Sequence, residues 1–261
     1  MKLRRGFFWL LTLLFLTGVG LAQAQQKRIP VVATLEFGVT AQSGSPAILG
    51  RAATDAVVLE MNRTGRFDSV PRSQVQQQIK ESDLAPPFRS NEIQRLGQSL
   101  GADYVASGEI TEIAFIPKPR RARVTLSLRL TDPATGELGN GAVETGLSAT
   151  DTGAVEDETL IQQAITDAAF STVRTMNRYA PVEATVLLIR SGREATLNRG
   201  SRDGIRPKQE MVVLRRGSYV GRVRVSSVGD TDCRADILDG GIRPEDRARA
   251  VFKMPDAPRR R

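Results

Sequence analysis

The 261-residue sequence predicts an α/β (α+β) domain, a mixed sheet packed on helices, followed by a small all-β barrel of the SH3-like kind. Three observations predict it. From residue 29 to 176, short apolar runs alternate with segments whose apolar residues recur at helical spacing. Within that stretch, residues 124–147 switch to strict alternation around a turn, the pattern of a half-buried meander. Beyond residue 182 the helical spacing stops, and short strands follow one another across turns.

The elements follow in order. Ile29 to Phe37 is a first strand, apolar enough at Val31–Leu35 to be buried on both faces. Ile48 to Asn62 is a helix with Ile48, Ala52, Val57 (or Ala56), Leu59 and Met61 near one stripe; Pro46 suits its start and Gly65 its end. Phe67 to Val70 is a short strand. Ser73 to Ser82 is a helix that is polar except for Val75 and Ile79. Pro86-Pro87 is a stiff loop, and Ser90 is the expected N-cap of a third helix bearing Ile93, Leu96 and Leu100. Tyr104 to Ile113 is a strand, and Pro117 to Arg123 an exposed hairpin tip. Val124 to Leu130 buries alternate residues; Asp132-Pro133-Ala134-Thr135-Gly136 is a tight turn, and Glu137 to Leu147 returns. Leu160, Ile161, Ala164, Ile165, Ala168, Val173 and Met176 form the apolar face of a long helix, with Thr150 or Asp151 leading into it.

The domain boundary falls at Arg178 to Val182, giving domains at 27–178 and 182–253. The second holds strands at Ala184–Ile189, Glu194–Leu197, Met211–Arg215, Tyr219–Val228, Cys233–Leu238 and Arg247–Phe252, the middle pair a hairpin around Gly217-Ser218. Residues 254–261 are expected to form a basic, disordered tail.

Residues 1–24 address the compartment. Lys2, Arg4 and Arg5 precede an apolar run from Phe7 to Leu16, and Ala22-Gln23-Ala24 supplies the small-x-small pattern of a cleavage site. The rival reading is a membrane anchor, but the unbroken run is shorter than the ~20 residues a span needs. Cleavage after Ala24 is expected, with export to the periplasm. Gln25 stands where a lipoprotein would carry its lipid-bearing Cys, so no lipid anchor is expected.

The composition excludes much chemistry. There is no histidine, which removes Ser-His-Asp and Cys-His sites and most zinc sites. The single cysteine, Cys233, cannot form an internal disulfide and reads as a small buried apolar residue rather than a reactive thiol. No catalytic residue, cofactor or metal site is assigned. Glu109/Glu112 and Glu156/Asp157/Glu158 read as surface charge rather than acid/base machinery. Residues 27–178 hold 16 Lys/Arg against 18 Asp/Glu, and residues 182–253 hold 15 against 10, so the basic excess lies in the second domain. That favours acidic envelope surfaces or an acidic partner. Export and the scarcity of aromatics argue against nucleic acid.

Two arginine clusters are the candidate partner contacts: Arg120, Arg121 and Arg123 at one hairpin, and Arg215, Arg216, Arg222 and Arg224 at another. The plainer reading is a solvated edge guarded by charge against stray strand pairing. Gly200-Ser201-Arg202-Asp203-Gly204-Ile205-Arg206-Pro207 is a compact loop in which both glycines permit positive φ. As a phosphate cradle it lacks the following helix and the Lys-Ser/Thr pair.

Several short pieces recur in a specific order: Leu49-Gly50, Thr54-Asp55, Thr64-Gly65-Arg66-Phe67, Leu96-Gly97, Leu100-Gly101-Ala102-Asp103-Tyr104-Val105, Gly108-Glu109-Ile110-Thr111, Leu130-Thr131-Asp132 and Thr135-Gly136-Glu137. Together, over residues 29–176, they resemble the CsgG family of curli-secretion proteins. They also resemble the related periplasmic domains of LpoB, the TolB amino-terminal domain and the middle domain of the flagellar protein FlgT. Asn198 to Pro207 with Val220-Gly221 resembles the carboxy-terminal domain of FlgT, which carries Gly where this chain has Lys208.

The resemblance implies a non-enzymatic periplasmic assembly or scaffold protein of a secretion or appendage system, curli-like or flagellar. It would contact envelope proteins, with a possible homo-oligomer, and lie at most peripheral to the outer membrane or cell wall. An LpoB-like activator of a cell-wall synthase and a CsgG-type export channel are the alternatives it leaves. The chain lacks the lipid-bearing Cys and a pair of amphipathic ~10-residue spanning strands, which departs from the channel. A hydrolase using Glu109 or Glu112 is the reading from a different class.

Overall fold

The computed structural model describes residues 29–41, 45–150, 153 and 155–254. The expected secretion signal at 1–24 and the expected tail beyond Met254 lie outside the described residues. Within them the chain forms a mixed α/β domain and a closed six-stranded barrel.

The first domain contains β1 (Val31–Thr34), β2 (Gly38–Val39), α1 (Pro46–Arg63), β3 (Asp68–Ser69), α2 (Arg72–Glu81), α3 (Ser90–Ser99), β4 (Tyr104–Pro117), β5 (Arg120–Thr131), β6 (Leu138–Leu147) and α4 (Asp157–Arg178). Its sheet runs β3-β1-β4-β5-β6, and β2 pairs with β4 beside β1. The βα crossovers make β1 parallel to β3 and β4, while β4, β5 and β6 form the antiparallel meander. Helices α1 and α4 cover one face. There Val57 and Met61 meet Leu126, Leu128, Ile165 and Met176 in the main core. Helices α2 and α3 cover only the β1–β4 side of the other face, through Val75, Leu96 and Leu100 against Ala33, Leu35 and Val105. Among the described residues no helix covers the β5–β6 side of that face.

The alternation in β5 does what its pattern requires. Val124, Leu126, Leu128 and Leu130 are buried, and the intervening residues are not. The long helix likewise buries the whole expected face, extended by Ala169 and Thr172. The stripe of α1 is rotated from the expected one: Leu49, Ala53, Val57 and Met61 are buried, whereas Ile48 and Leu59 are exposed. A spacing of four throughout is the tighter helical row, and the sheet selects it.

Three boundaries also shift. Ser90 is the first residue of α3 rather than its cap; Arg89 holds the cap position, its N–H donating to the Glu92 carboxylate at 2.7 Å. Glu156 holds the cap position of α4, six residues past Thr150, and Asp151 lies outside the described residues. The fourth strand runs on to Pro117, because β5 pairs with it along its full length and leaves only Lys118 and Pro119 in the turn.

Gly146 of β6 is where α4 comes closest to the sheet. A Cβ there would lie 2.1 Å from the Ala168 nitrogen and 2.3 Å from the Ala164 carbonyl oxygen, both backbone.

The barrel contains β7 (Glu183–Arg190), β8 (Glu194–Leu197), β9 (Glu210–Arg215), β10 (Ser218–Val228), β11 (Cys233–Gly240) and β12 (Arg247–Ala250), closed in the order β10-β11-β8-β7-β12-β9. Its interior holds Val, Leu, Ile, Met, Cys and many Ala but no aromatic ring, which suits so narrow a barrel. Cys233 is buried in it, and burial first, with Asp232 nearby, pushes its thiol up to about 11. The hairpin turn is Arg216-Gly217, one residue earlier than expected.

The loop after β8 makes a single 3-10 turn at Ser201–Asp203. Only Gly204 has positive φ, at 89°; Gly200, at −134°, is needed for space, since its Cβ would lie 2.4 Å from the Gly229 carbonyl oxygen. The N–H groups of Ser201, Arg202, Asp203, Gly204 and Ile205 all donate to backbone carbonyls, so none is left to cradle a phosphate. Lys208 adopts φ 65°, the left-handed conformation glycine prefers.

Three substitutions test these contacts. Replacing Gly146 with Ala should cost about 3 kcal/mol by overpacking, read as a lower urea midpoint at unchanged slope. Gly241→Ala, where open space surrounds the added carbon, should be near neutral. Lys208→Gly should raise stability by up to about 1 kcal/mol in the same measurement, as left-handed strain is relieved.

Candidate contact site at the domain junction

The two domains meet at the turn between β5 and β6. Asp132 organises this turn. Its carbonyl accepts the Gly136 N–H at 2.7 Å, its N–H donates to the Glu137 carbonyl at 2.9 Å, and its Oδ1 accepts the Ala134 N–H at 2.7 Å. The second carboxylate oxygen faces the barrel and accepts from Nη2 of Arg249 on β12. Both side chains are nearly inaccessible, at 4% for Asp132 and 10% for Arg249.

Arg249 Nη1 donates to the Tyr104 hydroxyl at 2.8 Å, and its Cζ lies 5.4 Å from the centroid of that ring. Burial opposes the charge on Arg249, but Tyr104 and Asp132 outweigh it and hold the guanidinium pKa above its ordinary value. Burial pushes the Tyr104 hydroxyl upward, and the facing Arg249 only partly offsets this. The group is thus a desolvated cation answered by one carboxylate and one phenol.

A second contact flanks it. Glu137, at the end of the same turn, accepts from Arg222 on β10, which also lies 3.6 Å from Glu210. Met254, just past β12, sits over Gly141 of β6, where a Cβ would be 2.8 Å from its Cε. One six-residue turn therefore holds the barrel through two ion pairs, and glycine on β6 makes room for the chain that leaves it.

The candidate arginines divide between two places. At the β4–β5 tip, Arg120 donates to the Val155 carbonyl at 2.9 Å and to the Asp157 carboxylate. Arg121 donates to Thr150 Oγ1 at 2.9 and 2.6 Å, and Arg123 to Glu112 at 2.7 Å. In the barrel, Arg215 grips Asp246 with two bonds of 2.8 Å, and Arg224 donates to Glu210 at 2.7 Å. Arg216 is exposed in the turn, with φ 52°. Arg222 belongs to the junction. The hairpin tip and the junction stand at opposite ends of β5, about 35 Å apart along the strand, so the structure does not bring the two clusters together.

Glu112, one of the two carboxylates of the hydrolase reading, is tied to Arg123 and to Thr125. Asp157 and Glu158 lie in the first turn of α4, where acidic side chains favour the helix. Among the described residues no group of three or more Cys, Asp or Glu is placed to hold a metal ion, and no helix is long and apolar enough to cross a membrane. Open depressions lie between α1 and α4 beside the exposed Phe170.

Sequence reasoning missed Arg249 as a junction residue. Asp132 and Tyr104 stand out in the sequence as a turn and a strand start, but an arginine in a short terminal strand reads as outward-facing.

Residues 41–139 match the family model described as peptidoglycan-synthase activator LpoB, which is less than half of the chain. The match begins ahead of α1 and ends at Gly139, two residues into β6, so the barrel lies outside it. Solved structures similar to the chain include the LpoB C-terminal domain from Escherichia coli, with 16% identity, TM-score 0.36, and coverage of 47% of this chain and 84% of that one. They also include lipoprotein GNA1162 from Neisseria meningitidis, with 13% identity, TM-score 0.37, and coverage of 50% and 90%. The PelC dodecamer from Paraburkholderia phytofirmans has 12% identity, TM-score 0.33, and coverage of 54% and 86%. No curated protein matches the chain. The LpoB-like part of the expected resemblance is supported over residues 41–139 of the α/β domain; the curli-secretion and flagellar parts gain no support from this match.

Because Asp132 is, among the described residues, the carboxylate that answers a buried arginine, Asp132→Ala should lower stability by about 3–5 kcal/mol. A double-mutant cycle with Arg249→Met in urea should show a smaller loss for the pair than for Asp132→Ala alone, because the stranded charge has gone.

Proposed function

We propose that this chain is an exported envelope protein that binds a peptidoglycan synthase and raises its activity, without catalysing a covalent step itself. The family-model match over residues 41–139 carries this reading, and the mixed α/β domain that contains those residues is consistent with it. The match favours the synthase-activator reading over a curli-like or flagellar scaffold. The intramolecular pairing of Glu112 supports a binding role over a carboxylate hydrolase.

In this reading the α/β domain supplies the contact, and the barrel is a second module held in fixed orientation by the Asp132–Arg249 and Glu137–Arg222 pairs. The open face beside β5 carries Arg121 and Arg123, whose guanidinium groups are partly exposed although each has a local partner. We assign these two, with Arg216 on the barrel turn, as contacts to an acidic surface of the partner. Surface arginines with weak local pairs exchange partners at little cost.

Adding the purified chain to a peptidoglycan synthase from the same bacterium should give a saturable, severalfold rise in glycan polymerisation. Arg121→Glu with Arg123→Glu should shift saturation to higher concentration while leaving the fold intact by circular dichroism. No binding and no change in rate across the synthases of that bacterium would sink the proposal.

A further inference from the structure

A sheet edge exposes unpaired main-chain donors and acceptors, which a protein must hide or use. Among the described residues the barrel is closed and has no edge, while β2 and β3 are only two residues each. Strand β6 is the long edge of the sheet, and side chains occupy outward donors near both of its ends. The Gly141 N–H donates to Asn140 Oδ1 at 2.8 Å and the Leu147 N–H to Asp167 Oδ2 at 2.9 Å; just past the strand, the Ala149 N–H donates to Gln163 Oε1 at 3.1 Å.

Among the described residues another stretch of edge lies on β4. The pairing of β2 with β4 ends at Val39 opposite Ile110, and the Thr40 N–H closes it on the Ile110 carbonyl at 3.0 Å. From Glu112 to Pro117, β4 pairs with β5 alone. The phase of that stretch follows from its neighbours. Ala122 directs both main-chain groups at Ser148 on the β6 side, so the odd-numbered residues of β5 bond toward β4. Their partners after the bulge at Ile110/Glu112 are Glu112, Ala114 and Ile116, which turns the main-chain groups of Ile113 and Phe115 outward. This edge reads Ile113-Ala114-Phe115-Ile116, with Phe115 42% exposed and no charged residue among the four.

We propose that this edge binds a second copy of the same chain, β4 against β4, antiparallel about a two-fold axis, joining the two sheets into one. The occupant follows from the segment's own symmetry of character. With Phe115 opposite Phe115, Ala114 faces Ile116 and Glu112 faces Lys118, at both ends alike. That register brings outward-facing main-chain groups together, buries the apolar run against itself and opposes unlike charges. An antiparallel register centred on Ala114 sets Glu112 against Ile116 and loses the charge match. Parallel pairing sets Glu112 beside Glu112. Pro117 has no N–H to donate, which ends the ladder and keeps the interface short. A self-complementary patch of this kind closes as a dimer.

The proposal does not depend on the synthase reading, and its test involves no synthase. Sedimentation of the chain without residues 1–24 should show a monomer–dimer equilibrium that follows concentration. Phe115→Lys places like charges opposite each other and should raise the dissociation constant about tenfold or more. Lys118→Glu, at an exposed turn, should weaken the dimer by facing Glu112, and adding Glu112→Lys to it should restore association. A monomer up to the highest soluble concentration would overturn the proposal. So would a dimer indifferent to Phe115→Lys, or a charge swap that fails to restore what Lys118→Glu removed; the swap keeps the test decisive should the Phe115 variant not fold.

Discussion

A buried guanidinium must be answered where it lies, and that constraint at Arg249 organises the relation between the two domains. Its carboxylate partner, Asp132, also fixes the turn between β5 and β6 through its carbonyl, its N–H and its other oxygen. The residue that shapes the turn is therefore the residue that holds the barrel. Neither role can be changed alone. Tyr104 adds the second acceptor from the start of β4, so the meander and the barrel share one polar cluster. Such a cluster adds little net stability compared with apolar packing, but it specifies orientation, because a displaced Arg249 would be left desolvated and unpaired.

The sheet is asymmetric in what covers it. One face is closed by α1 and α4, and the other is closed only on the β1–β4 side. The open part carries Arg121, Arg123 and Thr125 from β5 with Glu112 from β4, a polar surface laced by hydrogen bonds. Edges are treated just as unequally. Side chains from α4 and from β6 itself occupy donors near both ends of the long edge, while the projecting part of β4 is apolar and has no such cover among the described residues. The bare apolar stretch of β4 places a capacity for contact at the β4–β5 end.

That end is distant from the junction. The arrangement separates a site that fixes internal geometry from surfaces available to partners, as suits a protein whose proposed work is binding. The arginines reflect the same division. Arg222 and Arg249 serve the junction, Arg215 braces Asp246 within the barrel, and Arg121, Arg123 and Arg216 remain partly or fully exposed.

Much of the fold was legible because periodicity reports burial directly. The alternation from Val124 to Leu130 and the apolar face of α4 from Leu160 to Met176 needed nothing beyond the chain itself to define them. Composition determined as much by exclusion, since a chain without histidine and with one cysteine lacks the residues most metal and nucleophile sites use. Which of two adjacent stripes α1 buries was decided by the sheet, because Ile48 and Leu49 are alike to local pattern and differ only in what lies beneath them. The junction was likewise tertiary: Tyr104, Asp132 and Arg249 are far apart in sequence, and nothing local marks an arginine in a short strand as buried. Long-range pairing of charges leaves no period to read, whereas the burial of apolar side chains does.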